Sequence, residues 1–261
     1  MSNEPFFTHL GDNRYQPNDI CRGPWDPNSL HGRVVAGLLA HAIEQAHGDP
    51  GLLPSRLTVD LYRMPPFAPV DVATRVERDG NRIRVVDATF AANGATIARA
   101  SCVFLRRAEN PDGTVWSPPS WDVPHPDSIT PPAQDWGPRG PMWDTRAIGH
   151  GFGSTEQKRA WLRENRPLAD GVEMTPFVRA AFAADFTNPF ANSGSAGLKF
   201  VNADITLYLH RLPVGEWLGF EVVEHHATDG IALGECSLYD TSGPIGRSLV
   251  TALANRRKGE G

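Results

Sequence analysis

The side chains in this chain that could do chemistry are scattered, and only a few stand where local structure would give them a task. Asp185 directly follows the helical pattern Thr175–Ala184. A carboxylate at the end of a helix can orient a water and take its proton. It can also merely cap a turn, because Asp-Phe-Thr-Asn-Pro189 is good turn chemistry. His31 and Gly32 stand at the head of another helical pattern. The first N–H groups of a helix have no intrahelical acceptor, so they can hold an anion or a developing oxyanion. A glycine there permits close approach to the backbone. His31 is placed either to line a pocket or to cap the helix. Asp204, among strand residues, reads more simply as a hydrogen-bonded structural acid.

Other constellations fall short of a mechanism. His225-His226 lie near a turn with no third ligand in view, so they read as solvated imidazoles and not as a metal site. Gly149-His-Gly-Phe-Gly153 echoes a phosphate loop, but no strand leads in and no GK[ST] follows, so it reads as flexible linker. Ser193-Gly-Ser-Ala-Gly197 lacks the spacing of a nucleophile elbow. Cys21, Cys102 and Cys236 form neither a CxxC pair nor a disulfide framework. Arg56, Arg63, Arg82 and Arg84 could meet phosphates, although a solvated strand face explains them as well. The net charge of −5 argues against a nucleic-acid partner, whose phosphates demand Lys and Arg. The apolar run Val34–Ala40 is too short for a membrane span. Met1–Pro5 shows no secretion signal, so a cytoplasmic location is the expectation.

The elements that must position these residues fall into an α+β pattern. The spacing of Val34, Val35, Leu38, Leu39, Ala42 and Ile43 predicts a helix over Gly32–His47, stopped by Gly48-Asp-Pro50. Alternating residues predict strands near 57–62, 70–77, 82–90 and 96–106. Turns at Asp79-Gly80-Asn81 and Asn93-Gly94 use residues that tolerate positive φ. Residues 108–153 are crowded with Pro, Gly, Asp and Trp. They read as a connection, with Trp116, Trp136 and Trp143 packing it onto a domain. The second half repeats the plan: a helix opened by Thr175-Pro176, then strands at 201–211, 217–225, 230–239 and 244–254. Leu57-Thr58-Val59 matches Ile205-Thr206-Leu207, and Ile97 and Arg99 match Ile245 and Arg247 at the same offset, which indicates a duplicated unit.

A helix followed by antiparallel strands, occurring twice, resembles a double hotdog fold. The segment Gly32-Arg-Val-Val-Ala-Gly-Leu-Leu-Ala-His-Ala-Ile-Glu44 resembles the central-helix motif of the type II acyl-CoA thioesterases. Val76–Asn81 with Ala92-Asn-Gly94 resembles the hairpins of that family's first half. Trp161–Asn165, Phe182–Asp185 and Ala203-Asp204 through His210-Arg211 resemble landmarks of its second half. The implied organisation is an N-terminal hotdog over 1–107, the connection over 108–153, and a C-terminal hotdog over 154–261.

The resemblance implies hydrolysis of acyl-CoA thioesters to free acid and CoA, with no cofactor, no metal and acyl-CoA as the partner. It maps the family's catalytic Asp to Asp185, its water-holding hydroxyl residue to Asn202 and its Gln to Val250. Asn202 can still donate and accept hydrogen bonds; Val250 cannot. Thr251 is the nearest polar neighbour, but adjacent strand residues point to opposite faces. Gly32 and His31 fall where an oxyanion and the substrate would meet the first helix. Val250 motivates an alternative, a weakened protein that binds acyl-CoA without cleaving it. An enoyl-CoA hydratase is a further alternative, but its motif needs a His where Phe190 stands. Hotdog sheet edges tend to pair, so a homo-oligomer is expected.

Overall fold

Thr58 and Thr206, matched in the repeat, face each other across one strand pair in the computed structural model, which describes residues 4–132 and 143–255. Their hydroxyl oxygens are 3.3 Å apart. The strands involved are β3 (Leu52–Leu61) and β12 (Asp204–Leu209), paired antiparallel with Leu57 opposite Leu207 and Val59 opposite Ile205. Leu57 therefore meets the copy of Val59, Val59 meets the copy of Leu57, and Thr58 meets its own copy. That is the signature of an isologous contact about a local two-fold axis, as between the subunits of a symmetric dimer.

The strands on either side obey the same symmetry. In the first half β1 (Phe7–Gly11), β2 (Arg14–Pro17), β4 (Val70–Asp79), β5 (Ile83–Ala92) and β6 (Ala95–Arg106) accompany β3. In the second, β7 (Trp143–Ala147), β8 (Arg159–Glu164), β11 (Phe200–Asn202), β13 (Trp217–Thr228), β14 (Ile231–Asp240) and β15 (Gly243–Ala254) accompany β12. One antiparallel sheet runs β1-β2-β4-β5-β6-β3-β12-β15-β14-β13-β8-β7, with β11 also on β15. The 148-residue offset of Thr58 and Thr206 lays β5 on β14 and β6 on β15 from first residue to last. A small hairpin, β9 (Ser193–Gly194) with β10 (Gly197–Leu198), stands apart.

Among the described residues three α-helices fill the space the sheet leaves. They are α1 (Gly32–His47), α2 (Pro176–Ala184) and α3 (Thr187–Ala191). Every residue from Arg33 to Ile43 of α1 is buried, because α1 lies on β3–β6 and also packs against α2. Gly37 permits that second contact: a Cβ there would lie 1.8 Å from the Phe182 ring. Phe6 is hydrogen-bonded through its N–H to Pro167 O (3.0 Å) and its ring packs, tilted, against Phe182, tying this segment to the second half.

Several expectations need correction. The Asp79–Asn81 hairpin is present, but neither Gly80 nor Asn81 takes positive φ; Asn93-Gly94 and Asp229-Gly230 do. The strand expected over 201–211 is broken at Ala203, which separates β11 from β12. Asp185 opens no ordinary turn. It and Phe186 keep helical dihedrals, so the chain runs on from α2 into α3. The connection 108–153 is not wholly irregular, because Trp143–Ala147 within it form the edge strand β7. Trp116 is exposed, Trp143 is partly buried, and Trp136 lies outside the described residues. The packing role falls instead to Trp121, stacked 4.1 Å from Tyr239 over Gly219, where a Cβ would lie 2.4 Å away. The strands β1, β2 and β8 carried too little alternation to be read beforehand.

Filling the helix crossing tests this packing. Gly37→Val should overpack it and destabilise the fold by about 1–3 kcal/mol, lowering the thermal midpoint by roughly 2–4 °C per kcal/mol. Thermal unfolding by circular dichroism reads this; an unchanged midpoint would contradict the crossing.

Candidate active site

Asp185 is carried to the middle of the molecule by the short helix α2, and three contacts hold it there. Thr175 caps α2 through its hydroxyl, which accepts from the Val178 N–H at 3.2 Å, and Pro176 opens the first turn. At the other end the buried Ser248 hydroxyl of β15 donates to Ala184 O at 2.9 Å, pinning the last turn to the sheet. Asp185 itself is 8% exposed, and Asn202 Nδ2 donates to its Oδ1 at 3.0 Å. The same amide reaches Asp204 O at 3.3 Å, which fixes the Asn202 side chain beside the break at Ala203.

The third contact comes from the other half of the chain. The first turn of α1 abuts the carboxylate so closely that a Cβ on Gly32 would lie 2.8 Å from Asp185 Oδ1. The Arg33 backbone N–H lies on the carboxylate's side of that turn and favours its charged form. Burial pushes the Asp185 carboxyl above the usual carboxylate range, opposed by the Asn202 hydrogen bond, by the Arg33 charge and by the Arg33 backbone N–H. Gly32, at the first helical position, has an N–H with no intrahelical acceptor. The arrangement thus offers a buried base beside a backbone donor.

His31 stands at the N-cap of α1 without a side-chain cap bond, and lines a cavity instead. Its imidazole is pushed down to about 3, first by burial and then by Arg33, so it is neutral at ordinary pH. The cavity holds about 580 Å³ and is mostly apolar, with Trp25, Trp143, Phe152, Phe186, Phe190 and Leu198 in its walls. Phe186 stacks on Phe190 at 4.9 Å and meets Trp143 edge-on at 5.6 Å. Phe152 belongs to the glycine-rich loop that read as linker, and Trp25 to the loop before α1. Neither carried a periodic signal. A groove of about 650 Å³ lies across the β9–β10 hairpin, and none of the expected site residues lines it.

Val250 and Thr251 go separate ways. Val250 is fully buried among apolar residues and offers Asp185 no hydrogen bond. Thr251 is on the opposite, exposed face, where its N–H donates to Asp204 Oδ1 at 2.6 Å and its hydroxyl to the same oxygen. The structure therefore brings together Asp185, Asn202 and Gly32, sets His31 next to Gly32 in the wall of the cavity, and leaves Thr251 outside. It also reveals a charge pair that the sequence did not single out. Arg33 Nη2 donates to Glu164 Oε2, and both side chains are 2% exposed. An Arg following a glycine in an apolar helix pattern was the available signal. Elsewhere, His225 Nδ1 meets Asn192 Oδ1 at 2.7 Å and His226 pairs with Glu224. Among the described residues no group of three His, Cys, Asp or Glu side chains is placed to hold a metal ion, and no helix is long and apolar enough to cross a membrane.

Comparison with known structures places this architecture among hotdog-fold proteins. A hotdog-fold protein of unknown function from Alicyclobacillus acidocaldarius superposes with a TM-score of 0.73 at 16% identity, covering 96% of each chain. The tesB protein of Mycobacterium avium subsp. paratuberculosis gives 0.71 at 15% identity, again covering 96% of each. The acyl-CoA thioesterase II TesB2 of Mycobacterium marinum gives 0.67 at 17%, covering 97% of each. No curated protein matches in sequence. Residues 21–105 match the acyl-CoA thioesterase N-terminal domain and residues 109–253 the acyl-CoA thioesterase C-terminal domain. The chain belongs to the acyl-CoA thioesterase family.

The two polar neighbours of the site should separate in an activity assay. Asn202→Ala removes a hydrogen bond to a charged group and should lower thioester hydrolysis about tenfold or more. Thr251→Val should stay within about twofold of the parent, since the hydroxyl lies on the other face. Steady-state kinetics of thiol release measures both.

Proposed function

We propose that this protein is a double hotdog enzyme that hydrolyses acyl-CoA thioesters through a water oriented and deprotonated by Asp185. The observation that carries the reading is the buried Asp185 carboxylate, bonded to Asn202 and set against the first turn of α1. A thioester carbonyl is already electrophilic, so the enzyme needs a base, an oriented water and a donor for the oxyanion. Asp185 accepts a proton as the water oxygen bonds to the carbonyl carbon. Asn202, whose Nδ2 is held by Asp185, presents its Oδ1 to the water. The Gly32 N–H receives the oxyanion, aided by the partial positive charge of the helix N-terminus. Collapse of the tetrahedral intermediate breaks the C–S bond, and the departing thiolate takes up the proton, leaving acid and CoA. The acyl group occupies the cavity beside His31 and Phe186, and CoA extends toward the surface.

The two hotdog units, 1–107 and 154–261, contribute unequally: the first supplies the α1 donor, the second the acid. We place the enzyme in the cytoplasm and expect it to pair into a homo-oligomer.

Val250 favours a second reading, a protein that binds acyl-CoA without cleaving it, because no third hydrogen-bonding side chain stands at that position. The hydratase alternative gains nothing. Phe190, where a His would be needed, is 1% exposed and stacked on Phe186.

Thiol release from short, medium, long and aromatic acyl-CoAs decides between hydrolysis and binding. Asp185→Asn should fold normally and lose about a hundredfold or more of the activity, the usual worth of a general base. The ionised carboxylate is the active form and burial raises its pKa. The acid limb of kcat/KM should therefore lie above the ordinary carboxylate range, with activity falling as pH drops through it. Full activity in Asp185→Asn, or an acid limb at the usual carboxylate position, would refute the role of this residue.

A further inference from the structure

Arg33 has no assigned part in the reaction, yet its setting is unusual. It is fully buried, immediately after Gly32, in the turn that touches Asp185. Its Nη2 is bound to Glu164 of β8. Its Nε and Nη1, by contrast, have no hydrogen-bond partner among the described residues. Three aromatic rings surround it instead: the guanidinium carbon lies 4.1 Å from the Trp143 ring centre, 5.1 Å from Phe6 and 5.6 Å from Phe182. A buried ion pair with two of its three guanidinium nitrogens unpaired and aromatic rings around it is a costly way to hold a helix. The same volume filled with apolar side chains would hold it as well.

We propose that Arg33 is a positioning residue for the hydrolysis: clamped between Glu164 and Trp143, it presses its own backbone N–H onto Asp185 and supplies the positive field at that carboxylate. The inference rests on Asp185 being the base. The groups around Asp185 leave the field to this pair. From the N-cap of α1, His31 is neutral. From the strands, Asn202 carries no charge, and Asp204 is turned to Thr251. From β15, Ser248 and Val250 carry none. Arg179 of α2 is directed to Gly215 O and Met174 O, and acts on Glu164. The neighbouring Cys21 is a buried thiol held neutral, its pKa pushed upward by burial. Arg33 supports the charged form of Asp185, and its ion-pair partner Glu164 carries the opposite charge.

Two changes of opposite sign test this, read on the acid limb of kcat/KM. Glu164→Gln removes the negative partner, so the net field at Asp185 grows and the limb should move to lower pH. Arg33→Met with Glu164→Met replaces the whole pair by apolar volume, a change buried pairs often tolerate in folding. There the limb should move to higher pH, by about one unit or more. Circular dichroism confirms that each variant is folded, and Asp185→Asn is assayed beside them. Opposite limb shifts, with Asp185→Asn inactive, support the proposal. Limbs that stay at the parent pH, or move together, overturn it while leaving Asp185 as the base. An active Asp185→Asn overturns both.

Discussion

Everything at the site depends on two helices from different halves of the chain lying antiparallel, with Phe182 and Asp185 side chains resting on the α1 backbone at Gly37 and Gly32. Asp185, at the end of α2, reaches the first turn of α1 only because the Phe182 ring can sit over Gly37. One extra methyl at Gly37 would overlap the Phe182 ring, and one at Gly32 would crowd a carboxylate oxygen of Asp185. The sheet sets this approach from outside: the β3–β12 pairing brings the two halves together on a local two-fold, and Ser248 fastens the end of α2 to β15.

The two-fold is obeyed by the strands and broken by the helix ends, and the break is where the chemistry lies. At the far end of the helix pair, the mate of the Asp185 contact is closed. Glu44 accepts from the Thr175 hydroxyl, Thr175 caps Val178, and Pro176 has no N–H to offer. At the near end, His31 makes no cap bond and Gly32 keeps its N–H. One helix N-terminus is capped like an ordinary structural helix, while the other retains donors and faces an acid. A duplicated unit can afford this division, because the copy that is relieved of the reaction is free to stabilise the crossing.

The charges follow the same logic. Carboxylates and guanidinium groups lose hydration on burial, and each must find compensation nearby. Arg33 and Glu164 compensate one another, and Asp185 is compensated by Asn202 and by the α1 backbone. Val250 fills its position with hydrocarbon, so this carboxylate relies on one side-chain amide and on the backbone.

The sequence by itself carried the local order. Alternation in β4–β6 and β13–β15, the Thr175-Pro176 opening and the repeat of Leu57–Leu61 in Ile205–Leu209 are short-range patterns that burial on one face imposes. The family resemblance then picked out Asp185 and Asn202 and marked Val250 as apolar, while the head of the first helical pattern pointed to Gly32 and His31. Tertiary structure decided the rest. Which face of β15 meets the helices determines that Thr251 turns to Asp204 and away from the site. The helical path through Asp185-Phe186, against good turn chemistry, is imposed by the burial of Phe186 and Phe190 beside the cavity. The strand β7, the cavity walls Trp25 and Phe152, and the Arg33–Glu164 pair join residues far apart in the chain. No local period encodes such a meeting, because it exists only once the sheet has brought the two halves together.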